Sequence, residues 1–353
     1  MSYGKSFNLA QLHTGKPVVI YGAQAVAYTT YKAITKLTGC TVKNFIVSSR
    51  EGQPDELDGI AVIELKEYAK NNDDMILVAT PEDIQGSIAG LLEERGIDNY
   101  FFIKSNEFGI LQKGLYQEKS YIADNDELAV EVLQAVHEKD RKLSGDYENP
   151  SWIVPIQVGA TGSQKVIADI RDNTGDNIST RNKNYSELTA LYWAWKNSDA
   201  DIKGICHYRR VPDIQLSDLL ALGVGSADVF LTYPLMYYPD ISMHHKRYIN
   251  DKDWFVVENA LKEYAPEYYK VLDECMKQQL FINYNILVAR KEIFDSYCEW
   301  LFPLLFKIGE NTVPPESERQ DRYMGYIGET LCTLYFMKNN SIKTRYCSCL
   351  MRT

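Results

Sequence analysis

The sequence contains no apolar run of the roughly 18 residues that a bilayer-spanning helix needs. Its opening, Met1 to Lys16, is polar and has no apolar core, so a signal peptide is not expected. Any membrane contact would then be peripheral. The expected location is the cytoplasm, including the inner face of the cell membrane. An excess of basic charge is also missing. The 38 Lys and Arg stand against 48 Asp and Glu, for a formal net charge of -10, which argues against general nucleic-acid binding. The seven cysteines are odd in number and scattered, and no pair has zinc-ligand spacing. Free thiols in a reducing compartment are the expectation. Internal repeats and low-complexity tracts are absent as well.

Tyrosine, by contrast, is plentiful, with 25 residues against 12 phenylalanines. A flat apolar face carrying a hydroxyl suits sugar rings and wet interfaces, and it suits core packing and dimer contacts equally. Homo-oligomerisation therefore stays open. A chain of 353 residues is long for one domain, and two are expected.

The first half alternates strands and helices with short loops. Strands are expected at Pro17–Gly22, Asn44–Ser48, Ile60–Ile63, Met75–Ala79 and Tyr100–Ile103. Helices are expected at Ala23–Leu37, Leu65–Lys70 and from Pro81 to Arg95, the last capped by Thr80. This is the pattern of an α/β, Rossmann-like parallel sheet over residues 1–110. Gly22-Ala-Gln-Ala-Val-Ala27 occupies the place of a dinucleotide fingerprint. Gln24 stands where the second glycine would admit a pyrophosphate, so an accessory domain is preferred to an NAD site. Residues 111–150 are read as a helical connector, with a helix over Asp126–Glu138, followed by the linker Leu143–Pro150.

Residues 151–353 form a second α/β domain. A strand at Trp152–Gln157 precedes the polar loop Asp172-Asn-Thr-Gly-Asp-Asn177. A helix with Leu188, Leu191, Tyr192 and Trp195 follows, capped by Ser186 or Asn184. The strand Ile202–Cys206 then delivers His207, Tyr208, Arg209 and Arg210 at its carboxyl end, where ligands of open α/β sheets sit. Further on come a strand at Ala227–Thr232, a loop at Tyr233–Tyr248, and helices at Asp251–Tyr264 and Pro266–Lys277. A strand at Phe281–Ala289 and helices at Lys291–Lys307 and Gln320–Lys338 complete the domain.

Several motifs carry a resemblance. They are Pro155-Ile-Gln-Val-Gly-Ala, Asp172-Asn-Thr-Gly-Asp-Asn-Ile-Ser, Asn184-Tyr-Ser-Glu-Leu-Thr-Ala-Leu-Tyr-Trp-Ala-Trp-Lys-Asn and Cys206-His-Tyr-Arg-Arg. With His245 and Asp253, Phe281–Leu287, Tyr297–Phe302 and Gln320-x-Arg322-x-x-Gly-Tyr-x-x-Glu329, they resemble a bacterial capsular and exopolysaccharide glycosyltransferase family. The resemblance covers about residues 150 to 340. It implies a GT-A-like domain that moves a sugar from a nucleoside-diphosphate donor, a UDP-sugar, to a lipid-linked oligosaccharide in capsule, exopolysaccharide or O-antigen synthesis. GT-A enzymes usually hold a divalent metal, Mn or Mg, on an Asp-x-Asp at a strand end. Here Asp199-Ala-Asp201 precedes the strand, so no metal ligand is assigned and Arg209 and Arg210 are expected to neutralise the diphosphate instead.

Other candidates follow from position. Asp172, Asn173, Asp176, Asn177, Asn184, Glu187 and His207 are candidates for donor contacts, against self-satisfied turns and a capping box. Asp253 is the preferred base, with His245 and Glu329 as alternatives. Glu329 would have a raised pKa if buried, or would pair with Arg322. Tyr233, His244, Asn283, Asn285, Gln320 and Arg322 are candidates for sugar or acceptor contacts. Two rival functions remain: an oxidoreductase acting on NAD or a nucleotide-sugar through the first domain, and a catalytically silent carbohydrate-binding protein.

Overall fold

The computed structural model describes residues 5–7, 12, 17–71, 73–116, 128–312 and 321–353. Two compact units divide the chain: residues 1–118 with 235–240 and 353, and residues 119–234 with 241–352.

The first unit runs β1 (Lys5–Ser6), β2 (Val18–Tyr21), α1 (Ala25–Thr38), β3 (Val42–Val47), β4 (Glu56–Leu57), β5 (Ile60–Glu64), β6 (Met75–Val78), α2 (Glu82–Glu94), β7 (Tyr100–Phe102) and α3 (Ser105–Tyr116). Its sheet has the order β1-β7-β6-β2-β3-β5-β4, with only β4 antiparallel to its neighbour. Every residue of β2 is buried, as a parallel strand covered on both faces requires. Val18 and Ile20 pack in one cluster with Ala27, Ile34 and Leu111, whereas Val19 and Tyr21 pack in another with Ile88 and Leu92. Gly22 follows at φ 119°, and a Cβ there would lie 2.8 Å from the carbonyl oxygen of Ala79, so the turn needs glycine. Gln24 fills the turn by donating to Gln53 Oε1 at 2.7 Å.

Two expectations fail in this unit. Leu65–Lys70 is a turn rather than a helix, pinned by the buried Tyr68, whose hydroxyl donates to Asp74 Oδ2 at 2.8 Å. The α2 N-cap is Pro81, without a side-chain cap bond, so Thr80 does not cap it.

The second unit runs β8 (Val130–Val136), β9 (Ile153–Gln157), β10 (Ile170–Arg171), α4 (Asn182–Tyr185), α5 (Leu188–Asn197), β11 (Ile202–His207), β12 (Arg210–Pro212), α6 (Leu216–Gly223) and β13 (Val229–Thr232). The chain then places β14 (Leu235–Met236) in the first unit, where Met236 N–H donates to Thr29 Oγ1 on α1. Back in the second unit come α7 (Ser242–Tyr248), α8 (Asp251–Tyr264), α9 (Pro266–Met276), β15 (Leu280–Phe281), β16 (Leu287–Arg290), α10 (Lys291–Thr312), α11 (Tyr323–Lys338), β17 (Thr344–Cys347) and β18 (Cys349–Met351). The main sheet has the order β10-β9-β8-β11-β16-β13-β17, and β12 and β18 continue from β11.

The helix expected over Asp126–Glu138 is overturned where it is described. Val130–Val136 is a strand paired in parallel with both β9 and β11, so it sits in the interior of the sheet. Val130, Val132, Gln134 and Val136 share one face and Glu131, Leu133 and Ala135 the other; that period of two, rich in β-branched residues, is strand-forming. Three smaller corrections follow. The expected loop 233–248 ends in α7. The strand expected at Phe281–Ala289 is interrupted, because Tyr284 and Asn285 adopt φ 77° and 51°. Neither Ser186 nor Asn184 caps α5: Glu187 is its N-cap and makes no cap bond, and Ser186 takes φ 51°.

Candidate functional site

In the main sheet only β16 runs against the others, so one edge collects the carboxyl ends of β8, β9, β10, β11, β13 and β17 and the amino end of β16. The chain places β9 and β10 to one side of β8 and β11 to the other. The β8–β11 border is therefore the topological switch point, where open α/β sheets leave a ligand crevice.

A two-residue hairpin, Tyr208–Arg209, stands on that border, since His207 pairs with Arg210 across the β11–β12 turn. His207 is buried and its Nε2 lies 2.7 Å from the carbonyl oxygen of Tyr284. A carbonyl only accepts, so Nε2 carries the proton. Burial, opposed by Glu187, pushes the His207 pKa down to about 4, so the ring is neutral near pH 7. Arg210 lies over the Tyr284 ring at 4.5 Å, and its Nε is buried without a hydrogen-bond partner.

Two buried carboxylates hold the turn before β16. Glu329 Oε1 accepts the Tyr284 N–H at 2.9 Å, and its Oε2 lies 3.1 Å from His244 Nε2. Glu187 Oε1 accepts from Asn285 Nδ2 at 2.8 Å, and its Oε2 from Arg322 at 3.1 Å. Burial works against ionisation of Glu187, yet the charges of His207 and Arg322 and the Asn285 hydrogen bond hold its pKa below the usual carboxylate value. Because His207 is neutral at ordinary pH, Arg322 and Asn285 are the working causes. The Oδ1 atoms of Asn283 and Asn285 are buried without hydrogen-bond partners.

The other candidates divide by what holds them. Asp172 is fully buried and takes four donors, Gly159 N, Ala160 N, Ser179 Oγ and Thr189 Oγ1, between 2.6 and 3.0 Å. Its acceptor capacity is filled, so it ties the β9 and β10 loops to α5. Asp176 accepts from Tyr192, Asn177 folds back on Gly175, and Asn184 donates to the Asp321 carbonyl. Asn173 keeps a buried, unpartnered Oδ1. Asp253 and Asn250 form a reciprocal cap of α8, and His245 stacks on Trp254 at 4.2 Å. Tyr233 stacks on Tyr346. Glu329 pairs with His244, while Arg322 pairs with Glu187 instead. Gln320 lies outside the described residues.

Asp199 and Asp201 lie at the opposite, amino edge of β11. Asp201 accepts the Ala129 N–H there and Asp199 is fully exposed beside Lys291, so the pair does not fit a metal site on the diphosphate. Among the described residues no three His, Cys, Asp or Glu side chains are grouped to hold a metal ion.

The sequence reading missed Asp140, just beyond β8. Its Oδ2 accepts the His137 N–H at 2.7 Å. Burial raises its pKa, against that hydrogen bond and the charges of His137, Arg322 and Arg209. The alternation Val130-Glu-Val-Leu-Gln-Ala-Val136 was the signal that would have found the strand and this turn.

A family profile described as Domain of unknown function (DUF4422) matches residues 131–340, more than half of the chain. The chain belongs to the DUF4422 family. The DUF4422 region begins in β8 and ends just after α11, so it contains the whole carboxyl edge except β17. The solved apo structure of the WbbM bifunctional glycosyltransferase is similar, with a TM-score of 0.55 and 25% identity. That similarity covers 64% of this chain but 45% of that one, so this chain spans less than half of its length. It supports a mixed α/β, GT-A-like fold. Glucosyl-3-phosphoglycerate synthase from Mycobacterium tuberculosis, solved with Mn2+, UDP and phosphoglyceric acid, aligns over 99% of this chain and 77% of that one. Its 11% identity and TM-score of 0.19 carry no argument. No curated protein matches the chain.

Proposed function

We propose that this DUF4422 protein is a glycosyltransferase that uses a nucleoside-diphosphate sugar, a UDP-sugar in our reading. The acceptor we favour is a lipid-linked oligosaccharide in surface-glycan synthesis, and the first unit serves as an accessory domain. One observation carries the reading. Arg210 Nε and the Oδ1 atoms of Asn173, Asn283 and Asn285 are buried without hydrogen-bond partners, and all four come from segments at the carboxyl edge of one sheet. Buried polar groups are normally satisfied, so a set of orphans at a switch-point edge calls for a polar ligand.

The chemistry divides among these residues. The acceptor oxygen bonds to the anomeric carbon as the bond from that carbon to the diphosphate oxygen breaks, and the nucleoside diphosphate leaves with the electron pair. Arg209, Arg210 and Arg322 balance the growing charge on the leaving group, with bidentate donors that never lose their proton. Glu187 and Asn285 aim Arg322. The unpartnered carboxamide oxygens of Asn283 and Asn285 are the acceptors we assign to hydroxyls of the donor sugar. Asp140, a carboxylate whose pKa burial raises, takes the acceptor proton; we prefer it to Asp253, which caps α8.

Thermal shift with a panel of nucleoside diphosphates, with and without manganese and EDTA, tests the reading. Stabilisation that survives EDTA and is lost in Arg209→Ala/Arg210→Ala supports an arginine-held diphosphate. Stabilisation only with manganese keeps the transferase and overturns the role given to the arginines. No response to any nucleotide sinks the transferase reading.

A further inference from the structure

A pocket of about 380 Å³ opens at the β8–β11 border on the face of Gln134 and Val136. The donor residues described above do not use it. Tyr147 and Tyr208 give it aromatic walls, Asp146 and Glu148 line it with carboxylates, and Asn149 and Arg352 complete it. Asn149 Nδ2 donates to Gln134 Oε1 at 2.9 Å, while its Oδ1 is buried without a partner. Gln134 Nε2 in turn contacts the carbonyls of His207 and Tyr208 at 3.3 Å, fixing the pocket to the hairpin.

We propose that this pocket holds the acceptor saccharide, with the Tyr147 ring as its stacking platform and Asp146, Glu148 and Asn149 receiving its hydroxyls. The inference rests on the transferase reading. Two features favour a neutral, hydroxyl-bearing ring over an anion. The two carboxylates repel phosphate and accept O–H donors. A tyrosine face suits the C–H face of a sugar, and the hydroxyl beside it stays wet.

Position supports the same occupant. The Arg209 guanidinium carbon is 5.9 Å from the centre of the Tyr208 ring, so the wall of this pocket adjoins the residue that meets the diphosphate. A sugar seated here would present a hydroxyl to that neighbour. The platform also has a built-in dependence on glycine. A Cβ at Gly145 would lie 2.9 Å from the Tyr147 ring carbons, closer than real contacts allow. The ring is the far end of a flexible side chain, so Gly145→Ala displaces the platform at little cost to folding.

The test uses the whole chain and two readouts. Saturation-transfer NMR follows methyl β-D-galactopyranoside, methyl β-D-glucopyranoside and methyl α-L-rhamnopyranoside, and thermal shift follows the nucleoside diphosphates. A glycoside signal in the native protein should weaken by about tenfold in Tyr147→Ala, the loss of one ring's stacking and area, and by less in Gly145→Ala, which displaces the ring but keeps it. The nucleotide shift should persist in both variants. A glycoside signal indifferent to both substitutions overturns the proposal, as does the absence of any signal while nucleotides still stabilise the protein. Loss of the nucleotide shift in Tyr147→Ala reassigns the pocket to the nucleoside and overturns it equally. Glycoside binding weakened in both variants, without any nucleotide response in the native protein, sinks the transferase reading and leaves a saccharide pocket standing.

Discussion

His207 gives a prediction that can be worked through in numbers. Its pKa falls from an ordinary 6.5 to about 4 in the folded protein, because burial disfavours the charged ring. The unfolded chain therefore binds a proton near pH 6.5 that the folded protein refuses until about pH 4. Stability attached to this residue is full above pH 6.5 and is lost as pH falls through that window. A difference of 2.5 units is worth about 3 kcal/mol at its limit, and about 2.5 kcal/mol has gone near pH 4.5. His207→Gln keeps a donor for the Tyr284 carbonyl but does not titrate. The five tryptophans, Trp152, Trp193, Trp195, Trp254 and Trp300, all lie in the second unit, so their fluorescence reports its unfolding. Urea titrations near pH 7.5 and near pH 4.5 should show the native protein losing about 2.5 kcal/mol more than His207→Gln across that interval. Equal losses in the two proteins would refute a buried, neutral His207.

The remaining predictions concern the groups around it. Glu329→Ala leaves the Tyr284 N–H and His244 without their buried acceptor and should cost about 2–3 kcal/mol in urea unfolding, whereas Glu329→Gln should cost less. Arg322→Ala takes the guanidinium away from the buried Glu187 carboxylate, so it should lower stability by about 1–3 kcal/mol while nucleoside-diphosphate affinity falls by about tenfold in calorimetry. Gly22→Ala forces a side chain onto φ 119° and against the Ala79 carbonyl, so it should lower stability by more than about 1 kcal/mol in circular-dichroism melting.

Much of this protein was determined by the sequence alone. The first sheet declared itself because its strands are short continuous apolar runs bounded by turn residues, and helical periodicity separates them. The positions of His207, Arg209 and Arg210 at a strand end also followed from local pattern, as did the amino-edge place of Asp199 and Asp201. What the tertiary structure decided was which polar groups satisfy one another. Asp172 looked open to a ligand, yet four donors from two loops and a helix saturate it. Glu187 looked like a cap, yet it meets Asn285 and Arg322 from segments about a hundred residues away. Residues Val130–Val136 read as helix when their apolar members were counted by themselves; the partners on both sides make them an interior strand. Strand pairing and the burial of a carboxylate depend on contacts distant in sequence, so spacing along the chain does not fix them.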